Sequence, residues 1–120
     1  MKTNSPKALL RIFISSTDHL KQDLLSESIV LSAKNAEIAG ATVIKGILGY
    51  GASSVIHSSK FWEVSDKVPV VIEIIDTEEK IRNFYETIRP QLESMRYGCL
   101  ATIQNIELLL YKSGKSKISM

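Results

Sequence analysis

Apolar and polar positions fall into blocks of two different periods along this chain. After a polar start, residues 8 to 16, ALLRIFISS, are short, apolar and rich in β-branched side chains, which predicts a strand. SSTD follows as a helix-start signal with Ser16 or Thr17 as the cap, and a helix is predicted from about Asp18 to Ala39. Its apolar residues Leu20, Leu24, Leu25, Leu31 and Ile38 recur near helical spacing, and Gly40 is placed to end it. Residues 41–48, ATVIKGIL, and 68–76, VPVVIEIID, are two further strands, with Pro69 near a strand start, where its missing N–H does least harm.

A second helix opens at DTEEK, where Asp76 and Glu79 have the spacing of a capping box, and its apolar stripe is Ile81, Phe84, Ile88, Leu92 and Met95. Pro90 lies inside it at a cost of about 3 kcal/mol against Ala, which predicts a kink or a break. Residues 99–112, CLATIQNIELLLYK, form the fourth strand. The order is βαββαβ. With right-handed crossovers this interleaves into an α+β, ferredoxin-like fold: a four-stranded antiparallel sheet with two helices on one face. Residues 8–112 make a single domain, between a flexible N-terminus at 1–7 and a flexible tail at 113–120.

Strand alternation puts Leu10, Ile12, Ile14, Val70, Ile72 and Ile74 on the helix side. The other face would then expose Leu9, Phe13, Val43, Ile47, Val71 and Ile75, too much apolar surface to leave in water. Self-association through this face is expected, with Arg11, Lys45 and Glu73 forming ion pairs within it.

Composition narrows the function without naming it. A chain of 120 residues with 44% hydrophobic content supports one core, and a net charge of +2 gives neither a basic field for nucleic acid nor an acidic tail. The lone Cys99 cannot form an internal disulfide, which fits a reducing cytoplasm, and it reads as a small buried hydrophobe. The start MKTNSPK has no signal-peptide stretch, and no run approaches the roughly 18 apolar residues a membrane helix needs, so no membrane insertion is expected.

Candidate chemistry concentrates in the long loop at 49–67 and in one short loop. Gly46, Gly49 and Gly51 let a backbone approach a ligand closely, and Lys45 and Tyr50 beside them offer a charge and a stacking ring. Arg96 and Gly98, in the loop before the last strand, can hold an anion bidentately and allow close approach. His57, Phe61 and Trp62 are candidates for contact with a partner protein. Serines are frequent, but no G-x-S-x-G elbow or other catalytic set is present, and the chain reads as a non-enzyme without metal.

AEIAGATVIKGILGYG, IHSS, SDKVPVVIEIIDTEEKI and GCLATIQNIELLLYK together resemble the PII-like family called domain of unknown function 190, over residues 8–112. The resemblance implies a PII-like trimer with open sheet faces turned inward, adenine nucleotides bound between subunits, and a long loop that contacts a transporter or enzyme. Lys45 and Gly46 match the strand end that opens that loop in the wider superfamily. Its signalling members carry a Gly-Asp-Gly-Lys phosphate loop before the last strand, where this chain has RYGCL. The ligand expected is therefore a small anion, an adenine nucleotide among them, with no certain cofactor. A metal-binding trimer resembling the divalent-cation tolerance proteins, with His57 and Cys99 as its soft ligands, is the alternative, beside a purely structural trimer.

Overall fold

The computed structural model describes residues 1, 4–52, 57–58 and 67–114. Strands β1 (Lys7–Ser15), β4 (Gly40–Lys45), β7 (Pro69–Thr77) and β8 (Leu100–Ile106) form one sheet in the order β4-β7-β1-β8, every neighbouring pair antiparallel. Helices α1 (Leu25–Asn35) and α2 (Glu78–Glu93) cover one face. Short pairs β2 (His19–Leu20) with β3 (Asp23–Leu24), and β5 (Leu48–Gly49) with β6 (His57–Ser58), complete the elements. This is the ferredoxin-like arrangement that the block order predicts.

The core lies between sheet and helices. Ile12, Ile72 and Ile74 from the two central strands meet Leu25 and Ile29 of α1 and Ile81, Phe84, Ile88 and Leu92 of α2, all buried. Burying each such side chain stabilises by about 1.5–3 kcal/mol, so this strip dominates the fold's energetics. The predicted stripe on α2 is the observed one from Ile81 to Leu92, while Met95 lies past the helix end and packs on the core from the following loop.

The first helix starts seven residues later than the SSTD signal implies. Instead of capping a helix, Asp18 turns back: its carboxylate accepts the Ser15 N–H at 2.8 Å, its own N–H donates to the Ser15 carbonyl, and its carbonyl accepts the Leu25 N–H. The β2–β3 hairpin occupies the gap, with Lys21 in its turn at φ 59°, and Leu20 still packs on the core, which is why the apolar spacing looked continuous.

Gly40 does not end that helix; it opens β4. The stop is Glu37, at φ 59°, with the Ile38 N–H donating to the Ala33 carbonyl and the Glu37 N–H to the Lys34 carbonyl, both at 3.0 Å. This is a Schellman ending with a side chain where glycine is favoured. Glu37→Gly should therefore stabilise the chain by about 1 kcal/mol, read as a higher urea midpoint at unchanged slope. An unchanged or lower midpoint would show that the left-handed strain at Glu37 is relieved elsewhere.

At α2 the cap moves by one residue. Thr77 is the N-cap, its hydroxyl accepting the Lys80 N–H at 3.3 Å, while Asp76 is buried beside it. Pro90 does not end the helix, which runs on to Glu93; so near the C-terminus few turns remain to be broken. The last strand stops at Ile106, six residues short of its predicted end, because nothing among the described residues pairs with 107–112.

The face away from the helices differs in membership from the sequence expectation. Register sets Thr42 opposite Glu73 and Ile44 opposite Val71, so Ile44 faces outward, and Val43 and Lys45, opposite Ile72 and Val70, lie on the helix side. Both Val43 and Ile44 are apolar, so composition could not set the phase of β4; pairing with β7 does. Arg11 donates to Glu73 at 2.9 Å, as expected, and to Gln104 at 2.9 Å, while Lys45, on the other face of the sheet, does not join this cluster as the sequence reading had it. Leu9 is already closed off between its register partners Ile75 and Gln104.

Candidate functional site

A cleft of about 540 Å³ opens where the sheet ends on its uncovered side. Phe13, Val71 and Leu100, neighbours across three strands on the uncovered face, form an apolar floor. Three loops wall it: the turn after β1, the β4–β5 connection, and the short loop between α2 and β8. Such a shape, apolar floor with polar loop rims, is the usual form of a small-molecule site.

The β4–β5 wall is set by a close approach. The Gly46 N–H donates to the Pro69 carbonyl at 2.7 Å, and a Cβ on Gly46 would lie 2.9 Å from Pro69 Cγ. Glycine is thus required there by packing, with no positive φ involved. Gly49, Tyr50 and Gly51 continue along the rim, and the Tyr50 ring is exposed. A Cβ at Gly51 would meet nothing within 4 Å, so its backbone is open to a bound molecule.

The opposite wall carries Met95, Arg96, Tyr97 and Gly98. The Arg96 guanidinium lies 5.5 Å from the centre of the Tyr97 ring, and both side chains are exposed. A cation and an aromatic face thus stand side by side at the mouth. Of the ligand candidates read from the sequence, Gly46, Gly49, Tyr50, Gly51, Arg96 and Gly98 all line this one cleft. Lys45 does not, because it ends β4 on the helix side of the sheet.

The sequence reading missed the third wall, Thr17, Asp18 and His19, and also Lys67 where the long loop returns. Asp18 is buried and anchors the turn through Ser15, so its role is to shape the wall. The signal that could have found it is the same SSTD read as a helix cap. Of the partner-loop candidates, His57 pairs through its backbone with Gly49, and Phe61 and Trp62 lie outside the described residues.

Cys99 sits just before β8, half-buried, its thiol 3.9 Å from the Leu92 carbonyl, and it is not part of the cleft lining. Burial pushes the thiol pKa up, and the Asp18 carboxylate adds to the shift. A raised pKa means less thiolate at a given pH, so Cys99 should alkylate more slowly than a free cysteine at pH 8 and catch up only in more alkaline buffer. Equal rates at pH 8 would contradict that placement. Among the described residues no group of three or more His, Cys, Asp or Glu side chains is placed to hold a metal ion. No helix among them is long and apolar enough to cross a membrane.

The profile of the DUF190 family, described as "Uncharacterized ACR", matches residues 7–108. The chain belongs to this family. A UPF0166 protein of Aquifex aeolicus is 35% identical over 103 residues, which is 86% of this chain and 93% of that one. In three dimensions the DUF190 chain resembles CPII from Thiomonas intermedia K12, in a structure bound to ADP, AMP and acetate. The TM-score is 0.61 at 16% identity, over 87% of this chain and 89% of that one. A putative PII-like signaling protein from Thermus thermophilus gives a TM-score of 0.58 at 20% identity, over 85% and 88% of the two chains. At these identities the likeness establishes the PII-like fold of the DUF190 chain.

Proposed function

We propose that this chain is a non-catalytic, homotrimeric regulatory protein. It binds an adenine nucleotide or similar small anion in the cleft and engages a transporter or enzyme through residues 49–67. The observation that carries this reading is the convergence of the Gly46–Gly51 rim and the Arg96–Gly98 loop on one cavity. Open backbone at Gly51, stacking surfaces at Tyr50 and Tyr97, and the cations Arg96 and Lys67 suit a flat ring joined to an anionic group. CPII, which shares the fold, binds ADP and AMP, and this supports the choice of nucleotide.

The sheet's uncovered face supports self-association. Phe13, Ile44, Val71, Ile75 and Leu100 leave an apolar surface around the Arg11–Glu73–Gln104 cluster, and a second copy would remove it from water. Because the cleft floor belongs to the same face, a neighbouring copy would close over the site. Ligand binding would then favour one arrangement of the cleft rim at Gly49–Gly51.

The test is a thermal-shift titration with ATP, ADP, AMP and cyclic AMP, with and without magnesium, alongside sedimentation velocity at micromolar concentration. A ligand at 100 times its Kd adds about 2.7 kcal/mol of stability, readily seen as a saturable rise in Tm. No shift with any nucleotide overturns the nucleotide reading. A monomer at all concentrations overturns the trimer.

A further inference from the structure

Asp18 is the one acid among the described residues that line the cleft, and it is only 6% exposed. Its two carboxylate oxygens differ in their surroundings. Oδ2 accepts the Ser15 N–H at 2.8 Å and so anchors the turn after β1, whereas Oδ1 accepts no hydrogen bond from any described residue. Arg96 and Lys67, the cations of the other walls, are exposed, and neither forms an ion pair with Asp18. A carboxylate oxygen can only accept, and burying one without a donor is costly. The turn uses one oxygen, and the other is left to take a donor from a molecule in the cleft.

We propose that Asp18 selects the base: its Oδ1 accepts a hydrogen bond from the exocyclic 6-amino group of adenine. The inference deepens the nucleotide reading above and rests on it. A ligand made of a flat ring and an anionic group has two ends of opposite demand. The anion is met by exposed Arg96 and Lys67, which turns the ring inward, toward the apolar floor and the buried acid. The reverse orientation would set the anion against a carboxylate, so the same acid also fixes which way round the ligand enters.

Adenine differs from the other purines at this atom. Its 6-amino group donates, whereas hypoxanthine and guanine carry a carbonyl oxygen there, and a carbonyl facing Oδ1 sets two acceptors together with no proton between them. Guanine can offer its N1–H and 2-amino group as a pair, but that pair takes both oxygens of a carboxylate, and Oδ2 is held by Ser15. A buried polar group left unpaired is how a site rejects an analogue strongly.

The test compares ADP with IDP on the full-length chain and on Asp18→Asn, by calorimetric titration and thermal shift. In the variant only the amide oxygen can accept the Ser15 N–H, so the NH2 group takes the place of Oδ1 and an acceptor becomes a donor. The unaltered chain should bind ADP roughly 10- to 100-fold more tightly than IDP, and Asp18→Asn should reverse that preference. A purely structural role would weaken both nucleotides alike and leave their ratio unchanged. Because the bond to Ser15 is kept, the free variant should melt within a few degrees of the unaltered chain. Three results would each overturn the assignment of Asp18 while ADP binding by the unaltered chain keeps the nucleotide reading standing: equal affinity of that chain for ADP and IDP, an unchanged ratio in the variant, or failure of the variant to fold, which would show that the turn needs both oxygens. No binding of either nucleotide to the unaltered chain would overturn both.

Discussion

Asp76→Ala is expected to lower the stability of the folded chain by about 3 kcal/mol. The carboxylate is buried at the end of β7 and accepts the Ala39 N–H at 2.8 Å through one oxygen and the Thr77 N–H at 2.6 Å through the other. Lys80 stands 3.8 Å away, one turn along α2. One side chain thus ties the start of α2 to the connection between α1 and β4. Truncation leaves two backbone donors without their acceptor, each costing about 1–3 kcal/mol if left unpaired, while Lys80 keeps its hydrogen bond to the Glu37 carbonyl. Asp76→Asn keeps the shape and one acceptor, so it should lose less than the alanine variant. Urea unfolding at unchanged slope measures both. A loss below 1 kcal/mol for alanine would mean that water replaces the carboxylate and that the joint contributes little.

Arg96→Ala is expected to weaken binding of whichever nucleotide gives a saturable thermal shift by roughly 10- to 100-fold, the range for removing a charge-assisted hydrogen bond. It should leave the Tm of the free protein within about a degree, because the guanidinium is exposed and rests over its neighbour Tyr97. That combination separates a ligand contact from a structural one. Tyr50→Ala should weaken binding by about 1–3 kcal/mol if a base stacks on its ring. Full affinity in the Arg96 variant would remove this residue from the site and shift the anion's partner to Lys67.

What was legible in the sequence followed from periodicity backed by burial. The Ile81, Phe84, Ile88, Leu92 stripe and the Val70, Ile72, Ile74 alternation each state one face unambiguously, and both elements lie where their pattern puts them. The first helix misled because Leu20 joins the core from a hairpin, giving helical spacing without a helix. The phase of β4 was hidden by two adjacent apolar residues, and Lys45 went to the wrong face with it.

At the site, glycines signalled the β4–β5 rim because composition alone makes them conspicuous. Asp18 was masked by an SSTD pattern that reads equally well as a helix cap, and His19 gave no local signal, since their place in the cleft comes from how the end of β1 meets loops distant in sequence. Chain topology, not local pattern, brings those walls together.

The close approach of Gly46 to Pro69 has a bearing on how this protein can diversify. The backbone hydrogen bond from the Gly46 N–H to the Pro69 carbonyl pins both ends of the connection between β4 and β7. Closing a chain already pinned at its stem costs only about 0.6 kcal/mol more for each doubling of its length. Insertions, deletions or grafted peptides between these two residues should therefore leave the fold nearly untouched, so length and sequence can vary in this one stretch while the scaffold below it stays the same.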